Sequence, residues 1–231
     1  MRRIKEVSAL YNKIYLNFKN LILLGLVLCV LIIVSYFNLD LGFDKSEFIF
    51  IRDDYIQNYL DSTISFIMII NCVIIPAIFL SELKEESNTI SSILIPRVSK
   101  INLNTSKLLT ALLIAIYYSI IEMLIVGVTP LIWYPNFVLK ISFLKIGLFV
   151  ILYSCFNAVV LLLLIKLFHI FIVDAIPLII YLALNFAKEN DKIKDYLPAL
   201  TIINQSIESN NSLYIIFTLT MVVSILYLII K

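Results

Sequence analysis

Glycine and histidine are scarce in this sequence. Its 231 residues include four glycines and one histidine, His169. Phosphate-cradling loops need closely spaced glycines, and no Gly-x-x-x-x-Gly-Lys-Ser/Thr run occurs. A single histidine excludes zinc sites built from several histidines, and a Gly-x-Ser-x-Gly nucleophile elbow is also missing. The sequence therefore predicts a non-catalytic chain with no metal site and no cofactor of its own.

Cysteine and net charge add few constraints. Cys29, Cys72 and Cys155 all lie within apolar runs, so we interpret them as small apolar side chains. The formal net charge is +2, which gives no electrostatic support for nucleic-acid binding. No small-x-small cleavage site follows the first apolar run, so we expect that run to be a retained span rather than a signal peptide.

Long apolar runs dominate the chain. Hydrophobic residues make up 61% of it, and the mean hydropathy is +1.01. A bilayer core of about 30 Å needs about 20 helical residues. The apolar residues do not alternate with polar ones as they would in barrel strands. We therefore predict an all-α polytopic membrane protein, 1–231 forming one transmembrane domain, whose six spans are Leu21–Phe37, Ser62–Leu80, Leu108–Gly127, Ile146–Ile165, Ile170–Phe186 and Leu213–Ile230.

The distribution of Lys and Arg predicts the orientation. With both termini in the cytoplasm, eleven of the 18 Lys and Arg residues lie inside, as the positive-inside rule favours. The Ile-, Lys- and Asn-rich composition is typical of a low-GC bacterium. We therefore expect a bacterial plasma membrane protein with both termini in the cytoplasm.

Two further segments are apolar without spanning. Residues 1–20 are expected to form an interfacial amphipathic helix, or else a solvated leader that only sets orientation. In the external segment 187–211, the stretch Tyr196–Ile207 is too apolar for a simple loop and too short to cross. A re-entrant hairpin broken at Pro198 is expected there. The apolar stripe of the first segment consists of Ile4, Val7, Tyr11, Ile14 and Phe18.

The longest cytoplasmic connection, 81–107, has its own pattern. Acidic residues come first, where the dipole of a starting helix favours them, and an apolar helical turn follows before Pro96 ends it. The pattern predicts a short amphipathic helix at the cytoplasmic face, where a soluble partner can push on it. The alternative is a plain charged loop.

This segment resembles the permease subunits of type-2 ABC exporters. Two positions depart from that family's pattern: Asn88 replaces the usual Gly, and Arg97 is an extra residue after Pro96. The resemblance extends to an N-terminal elbow helix, six spans and a re-entrant external hairpin. The residues that match in order are Glu85, Glu86, Thr89, Leu94, Pro96, Ser99, Lys100 and Lys107.

The resemblance implies that 81–107 holds a coupling helix that seats in a groove of a nucleotide-binding ATPase subunit. ATP and magnesium would bind to that partner, and the permease would pair with a second copy or a paralogue in the lipid membrane. Short permeases of this kind export amphipathic or antimicrobial peptides, or other hydrophobic compounds. The implied coupling residues are Glu82, Glu85, Glu86, Thr89, Leu94, Pro96, Arg97, Ser99 and Lys100.

Four polar side chains inside the spans are candidates for the translocation path: Glu122, Asp174, Asn71 and Asn157. Intramembrane carboxyl groups normally face the protein interior or water. The two acids would line the export path or form a proton-titrating pair. Alternatively, Glu122 lies toward the outer end of its span, Asp174 toward the inner end, each with a hydrogen-bonding partner such as Asn157. For the two asparagines we favour structural packing.

Two other functions remain open. An ion-coupled secondary transporter would use Glu122 and Asp174, although no internal repeat is apparent between the two halves. A stand-alone membrane immunity protein would bind a toxin without transporting it. The first would transport without ATP, and the second would protect even when residues 89–96 are disrupted.

Overall fold

The computed structural model describes residues 18–40, 59–60, 62–72, 100–133, 141–168, 179, 182 and 211–230. These residues form helices, and no strand occurs among them, which confirms the all-α prediction for this part of the chain. The described ranges contain five helices: α1 (Phe18–Asp40), α2 (Ser62–Cys72), α3 (Lys100–Trp133), α4 (Ile141–Phe168) and α5 (Asn211–Ile229).

Three of these helices are long and apolar enough to cross a membrane. Their apolar stretches are Asn20–Leu39, Ile101–Ile132 and Phe143–Leu167. They contain the predicted first, third and fourth spans completely. The other two apolar helices are shorter, at Ser62–Cys72 and Leu213–Ile229, and they lie at the start of the predicted second span and within the sixth. By length and composition, the described helices are those of a membrane protein.

The third helix is longer than the sequence predicts. It begins at Lys100, eight residues before the predicted start of the span at Leu108, so the end of the predicted connection 81–107 is helical. Two hydroxyls in this polar turn, Thr105 Oγ1 and Ser106 Oγ, donate to the carbonyl oxygens of Ile101 and Asn102, each at 2.8 Å. Because these polar side chains bond to the helix itself, the turn remains helical despite its low apolar content.

The described helices pack around α3 and α4. Helix α4 contacts both α3 and α5, and α1 packs against α3. At the end of the bundle near Lys100, a proximal cluster contains Leu103, Leu108, Leu162, Ile165 and Tyr227. At the opposite end, a distal cluster contains Leu39, Leu60, Val126, Ile146 and Ile216. Helix α3 therefore runs from the proximal to the distal cluster, whereas α4 and α5 both run the other way.

A lysine joins the C-terminal ends of the two parallel helices. Lys166 Nζ of α4 donates to the carbonyl oxygen of Tyr227 in α5 at 2.8 Å and lies 4.7 Å from the centroid of the Tyr227 ring. Carbonyls in the last turn of a helix have no intrahelical donor, and a cation is favoured there. The contact stabilises α4 and α5 side by side in parallel, so Phe168 and Asn211 lie at opposite ends of the bundle.

Three segments are joined at the distal end by a group that we call the Tyr59 link: Ser35, Tyr59 and Val126. Pro130 lies inside α3 and has no N–H to donate to the carbonyl four residues earlier, that of Val126. The Tyr59 hydroxyl donates to this carbonyl at 2.8 Å. Ser35 Oγ lies 2.5 Å from the same hydroxyl. Because the single hydroxyl proton of Tyr59 goes to Val126, Ser35 is the donor in the second bond.

Much of the surface of α1 and α5 is apolar and exposed within the described structure. In α1, Leu26 is 60% exposed and Ile33 53% exposed, and in α5, Val222 is 53% exposed and Ile225 55%. Apolar surface on this scale is unusual in a water-soluble monomer and is matched by lipid. The predicted N-terminal helix before Phe18, most of the coupling segment, the fifth span apart from two residues, and the re-entrant segment lie outside the described residues.

Candidate functional site

The structure brings two of the four candidate path residues into contact, Asn71 of α2 and Glu122 of α3. A third, Asn157 of α4, contacts Cys72 instead. The fourth, Asp174, lies outside the described residues. Of the candidate coupling residues, Lys100 is described, and it is the first residue of α3; the others lie outside the described residues.

An asparagine amide connects three helices. Asn71 Nδ2 donates to Glu122 Oε2 at 2.9 Å and to Ser154 Oγ at 2.9 Å. All three side chains are fully buried. The amide uses both of its protons in these two bonds, so the contact holds α2 against both α3 and α4. Asn71 therefore forms interhelical hydrogen bonds to a carboxyl and to a hydroxyl.

Glu122 is buried inside the described bundle and is connected through Asn71 to α4. The Asn71 amide that donates to Glu122 also donates to Ser154. Ser154 is close to the middle of α4, which runs from Ile141 to Phe168. A helical side chain leans toward the N-terminus of its helix, and in α3 this direction leads away from the distal end. The Glu122 carboxyl is therefore held close to the middle of α4 within the described bundle.

Four buried polar atoms in this region have no hydrogen-bond partner among the described residues. They are Glu122 Oε1, Asn71 Oδ1, Tyr118 Oη and Ser119 Oγ. Tyr118 and Ser119 precede Glu122 by four and three residues, so they share its helix face. The Tyr118 hydroxyl interacts electrostatically with the Glu122 carboxyl and is close enough to it for a weak hydrogen bond, although the geometry falls short of a full one. Buried polar groups are nearly always paired, so four unpartnered atoms in one cluster call for an explanation.

A second polar contact lies beside the first, between Cys72 of α2 and two side chains of α4. Asn157 Nδ2 donates to Cys72 Sγ at 3.6 Å, and Cys72 Sγ lies 3.8 Å from the Tyr153 hydroxyl. Asn157 was considered as a partner for the acids, whereas the structure pairs it with sulfur and gives Glu122 the amide of Asn71 instead. Cys72 is a free cysteine.

Three members of the cluster were not among the candidates from sequence: Tyr118, Ser119 and Ser154. A signal for them was present. Tyr118 and Ser119 lie one helical turn before Glu122, and Ser154 lies one turn before Asn157, so each shares a face with a chosen residue. A serine inside an apolar helix does not by itself indicate a functional site, because its hydroxyl can hydrogen-bond to the backbone of its own helix. Here Ser154 accepts from another helix instead.

The chemistry available to the cluster is that of oxygen atoms around one carboxyl. Among the described residues, no group of three or more His, Cys, Asp or Glu side chains could hold a metal ion. No basic side chain of the described structure pairs with Glu122. An ionised carboxylate buried without a positive partner is costly. The site is therefore suited to take up a proton or a small cation.

No protein-family model, no curated protein and no solved structure matches this chain.

Proposed function

We propose that this chain is the transmembrane permease subunit of an ATP-driven exporter of the type-2 ABC kind in a bacterial plasma membrane. It works with separate ATPase subunits and with a second permease copy or a paralogue. The observation that carries the proposal is the continuity of α3. One helix joins Lys100, at the end of the proposed coupling segment, to Glu122 in the buried polar cluster, a distance of about 33 Å at 1.5 Å per residue.

A continuous helix of this kind suits the transmission of force. Helix α3 packs against α1, α4 and α5, so a displacement at its proximal end must move the contacts along it. Closure of the ATPase pair on ATP would push on residues 85–99, and α3 would carry the movement to the Asn71–Glu122 contact. Packed helices shift between discrete arrangements rather than deforming continuously.

The orientation of α4 and α5 supports the proposed count of six spans. The two helices are parallel, as the contact between Lys166 and Tyr227 requires. Six spans demand an odd number of crossings between them, which the proposed fifth span, Ile170–Phe186, supplies. The same even count puts both termini on one side of the membrane. The proposed side is the cytoplasmic one, because most of the Lys and Arg residues then lie inside.

Amphipathic or antimicrobial peptides are the proposed substrates, with other hydrophobic compounds in the same class. Six spans from one chain are few to enclose a path for such molecules, so the path is expected to form between two permease subunits. The incompletely covered surface of α1 is consistent with this arrangement: 17% of its most apolar stretch is buried within the described structure.

The coupling assignment is tested by reversing charge at the proposed contact with the ATPase. The double substitution Glu85→Lys, Glu86→Lys should abolish co-purification of the ATPase that accompanies the unaltered chain, and with it export. Insertion should be unaffected because both residues lie outside the predicted spans. The measurement is quantitative mass spectrometry of the detergent-purified complex.

A matched control reverses the same amount of charge elsewhere. Asp53→Lys with Asp54→Lys changes a predicted external loop by the same four charge units and should leave ATPase association intact. If the Glu85/Glu86 variant retains its ATPase and exports normally, the coupling role of this segment is wrong. If both double variants lose the ATPase equally, the loss is a general effect of charge and the assignment is equally wrong.

A second candidate function, an ion-coupled secondary transporter, is favoured by one observation: Glu122 is fully buried and has an unpartnered carboxyl oxygen. Intramembrane carboxyls of this kind carry protons or ions in many transporters. This function predicts uptake or export in proteoliposomes driven by an ion gradient without ATP, and its loss in both Glu122→Gln and Asp174→Asn. The exporter proposal predicts no transport in such proteoliposomes until the ATPase and ATP are added.

A further inference from the structure

We infer that the cluster formed by Asn71, Tyr118, Ser119 and Glu122 is a binding site for one alkali-metal cation, Na⁺ or K⁺. Its four unpartnered oxygens are completely buried. Two of them belong to groups already in contact, because Asn71 Nδ2 lies 2.9 Å from Glu122 Oε2. The other two belong to residues on the same face of α3, one turn before the carboxyl.

The unpartnered atoms themselves indicate a guest. A buried polar atom left without a partner costs about 1–3 kcal/mol, and four of them in one place would weigh heavily on the fold. Elsewhere in the described structure, buried hydroxyls such as Thr220 and Ser106 donate to carbonyls of their own helix. The cluster is thus an exception among the described residues, whose other buried hydroxyls have hydrogen-bond partners.

Charge selects the class of guest. Glu122 is the single carboxylate of the cluster, and no basic side chain among the described residues pairs with it. One positive charge neutralises it. Divalent cations favour sites with more than one carboxylate, and transition metals favour nitrogen and sulfur ligands. An amide oxygen, two hydroxyl oxygens and one carboxylate are the hard, mostly neutral ligands that suit an alkali-metal cation.

A proton on Glu122 is the competing guest. It would neutralise the carboxyl and add one donor to the hydroxyl donors of Tyr118 and Ser119. An alkali-metal cation instead contacts several oxygens at once and neutralises the carboxylate. In doing so it would join Asn71 of α2 to three side chains of α3. This inference stands independently of the ATP-driven exporter, because a cation can stabilise a permease without driving transport.

The test is the thermal stability of the purified full chain in detergent. Unfolding is followed in NaCl, in KCl and in choline chloride at equal total ionic strength. One of the two alkali cations should raise the melting temperature saturably over choline, on the order of 5 °C at 100 times its dissociation constant. No saturable rise with either alkali cation would overturn the inference.

Two serines of α3 provide matched variants. Ser119→Ala removes one proposed ligand and should weaken the apparent cation affinity about tenfold, the cost of one lost contact. Ser106→Ala removes an equally buried hydroxyl whose partner is the Asn102 carbonyl, and it should leave the affinity unchanged. Equal effects in the two variants would overturn the site assignment, even where the unaltered chain responds to cations.

Glu122→Gln separates a cation from a proton. The variant keeps the shape of the side chain and an oxygen that can accept from Asn71, but it should no longer respond to Na⁺ or K⁺. If acid pH stabilises the unaltered chain and neither alkali cation adds anything at any pH, the guest is a proton and the inference is wrong. Should Glu122→Gln fail to fold, the two serine variants still decide.

Discussion

Two groups of buried polar side chains each connect three segments of the bundle, but only one of them pairs all of its polar atoms. The Tyr59 link joins α1, the residues before α2, and α3, and each of its polar atoms has a partner. The Asn71–Glu122 cluster joins α2, α3 and α4, and it leaves four polar atoms unpartnered. Both lie along α3, only a few residues apart.

The difference distinguishes a structural contact, whose hydrogen bonds are complete, from a site whose oxygen atoms can still bind a ligand. In the Tyr59 link, the carbonyl that Pro130 leaves without a helical donor receives one from another segment, so the fold itself completes the bonding. The cluster around Glu122 has unused oxygens under the same degree of burial. Poor packing alone does not explain them, because the neighbouring link on the same helix is fully paired.

Among the substitutions that test this difference, Asn71→Ala should have the largest effect on the free energy of unfolding. The substitution leaves Glu122 Oε2 and Ser154 Oγ without their shared donor, and we expect the free energy of unfolding to fall by about 2 kcal/mol. The measurement is SDS-induced unfolding of the detergent-solubilised chain. Asn157→Ala is the control, with a smaller loss because its acceptor is sulfur. An equal or larger loss for Asn157→Ala would contradict the central place given to Asn71.

Removal of the Tyr59 hydroxyl should come next. Tyr59→Phe leaves the Val126 carbonyl and the Ser35 hydroxyl unpaired, with an expected loss of about 1 kcal/mol, since interhelical hydrogen bonds in membrane proteins average about 0.6 kcal/mol. Tyr117→Phe, at a residue 66% exposed, should have no measurable effect. The same unfolding assay measures both variants.

Replacing Pro130 tests more directly whether the Tyr59 hydroxyl substitutes for a missing helical donor. In a Pro130→Ala background the helix can supply its own donor to Val126, so Tyr59→Phe should cost less there than in the unaltered chain. A double-mutant cycle measures the difference. Identical costs in the two backgrounds would mean that the Val126 carbonyl does not depend on Tyr59.

A smaller effect is expected for Lys166→Met, about 0.5–1 kcal/mol, since it removes one hydrogen bond and one cation–π contact at the partly exposed end of α4. Lys166→Arg keeps a cation that can reach both and should restore most of the loss. If Arg is no better than Met in the same assay, the contact with Tyr227 contributes nothing to stability.

The smallest expected effect is that of Glu122→Gln in the absence of alkali cations. Glutamine still accepts from Asn71, and the buried charge is gone, so stability should stay within about 0.5 kcal/mol of the unaltered chain or rise. The contrast with Asn71→Ala is the informative result. A loss as large as that of Asn71→Ala would mean that Glu122 is held ionised by a partner of its own.

The apolar runs predict the five helices that the structure describes, because about 20 consecutive apolar residues have few alternatives to a membrane span. Boundaries were harder. The polar turn at 100–107 looks like a loop by composition, yet its hydroxyls bond back to the helix and α3 continues through it. Pro130, too, lies within α3 rather than ending it.

The site was predicted only in part for a different reason. A carboxyl within an apolar run is conspicuous, so Glu122 was chosen from sequence. Its partners depend on the rotation and depth of three helices, which composition does not encode. Asn71 donates to the Glu122 carboxyl, whereas Asn157 donates to Cys72, the residue that follows Asn71. The packing of the helices decides which asparagine contacts which partner.

We propose above all that this chain is the membrane-embedded subunit of an ATP-driven complex. The most direct test is to purify the tagged chain from its native host in a mild detergent and to identify by mass spectrometry what accompanies it. The account predicts a soluble ATPase in stoichiometric amount. A preparation without any ATPase, in a detergent that keeps other membrane complexes intact, would contradict it.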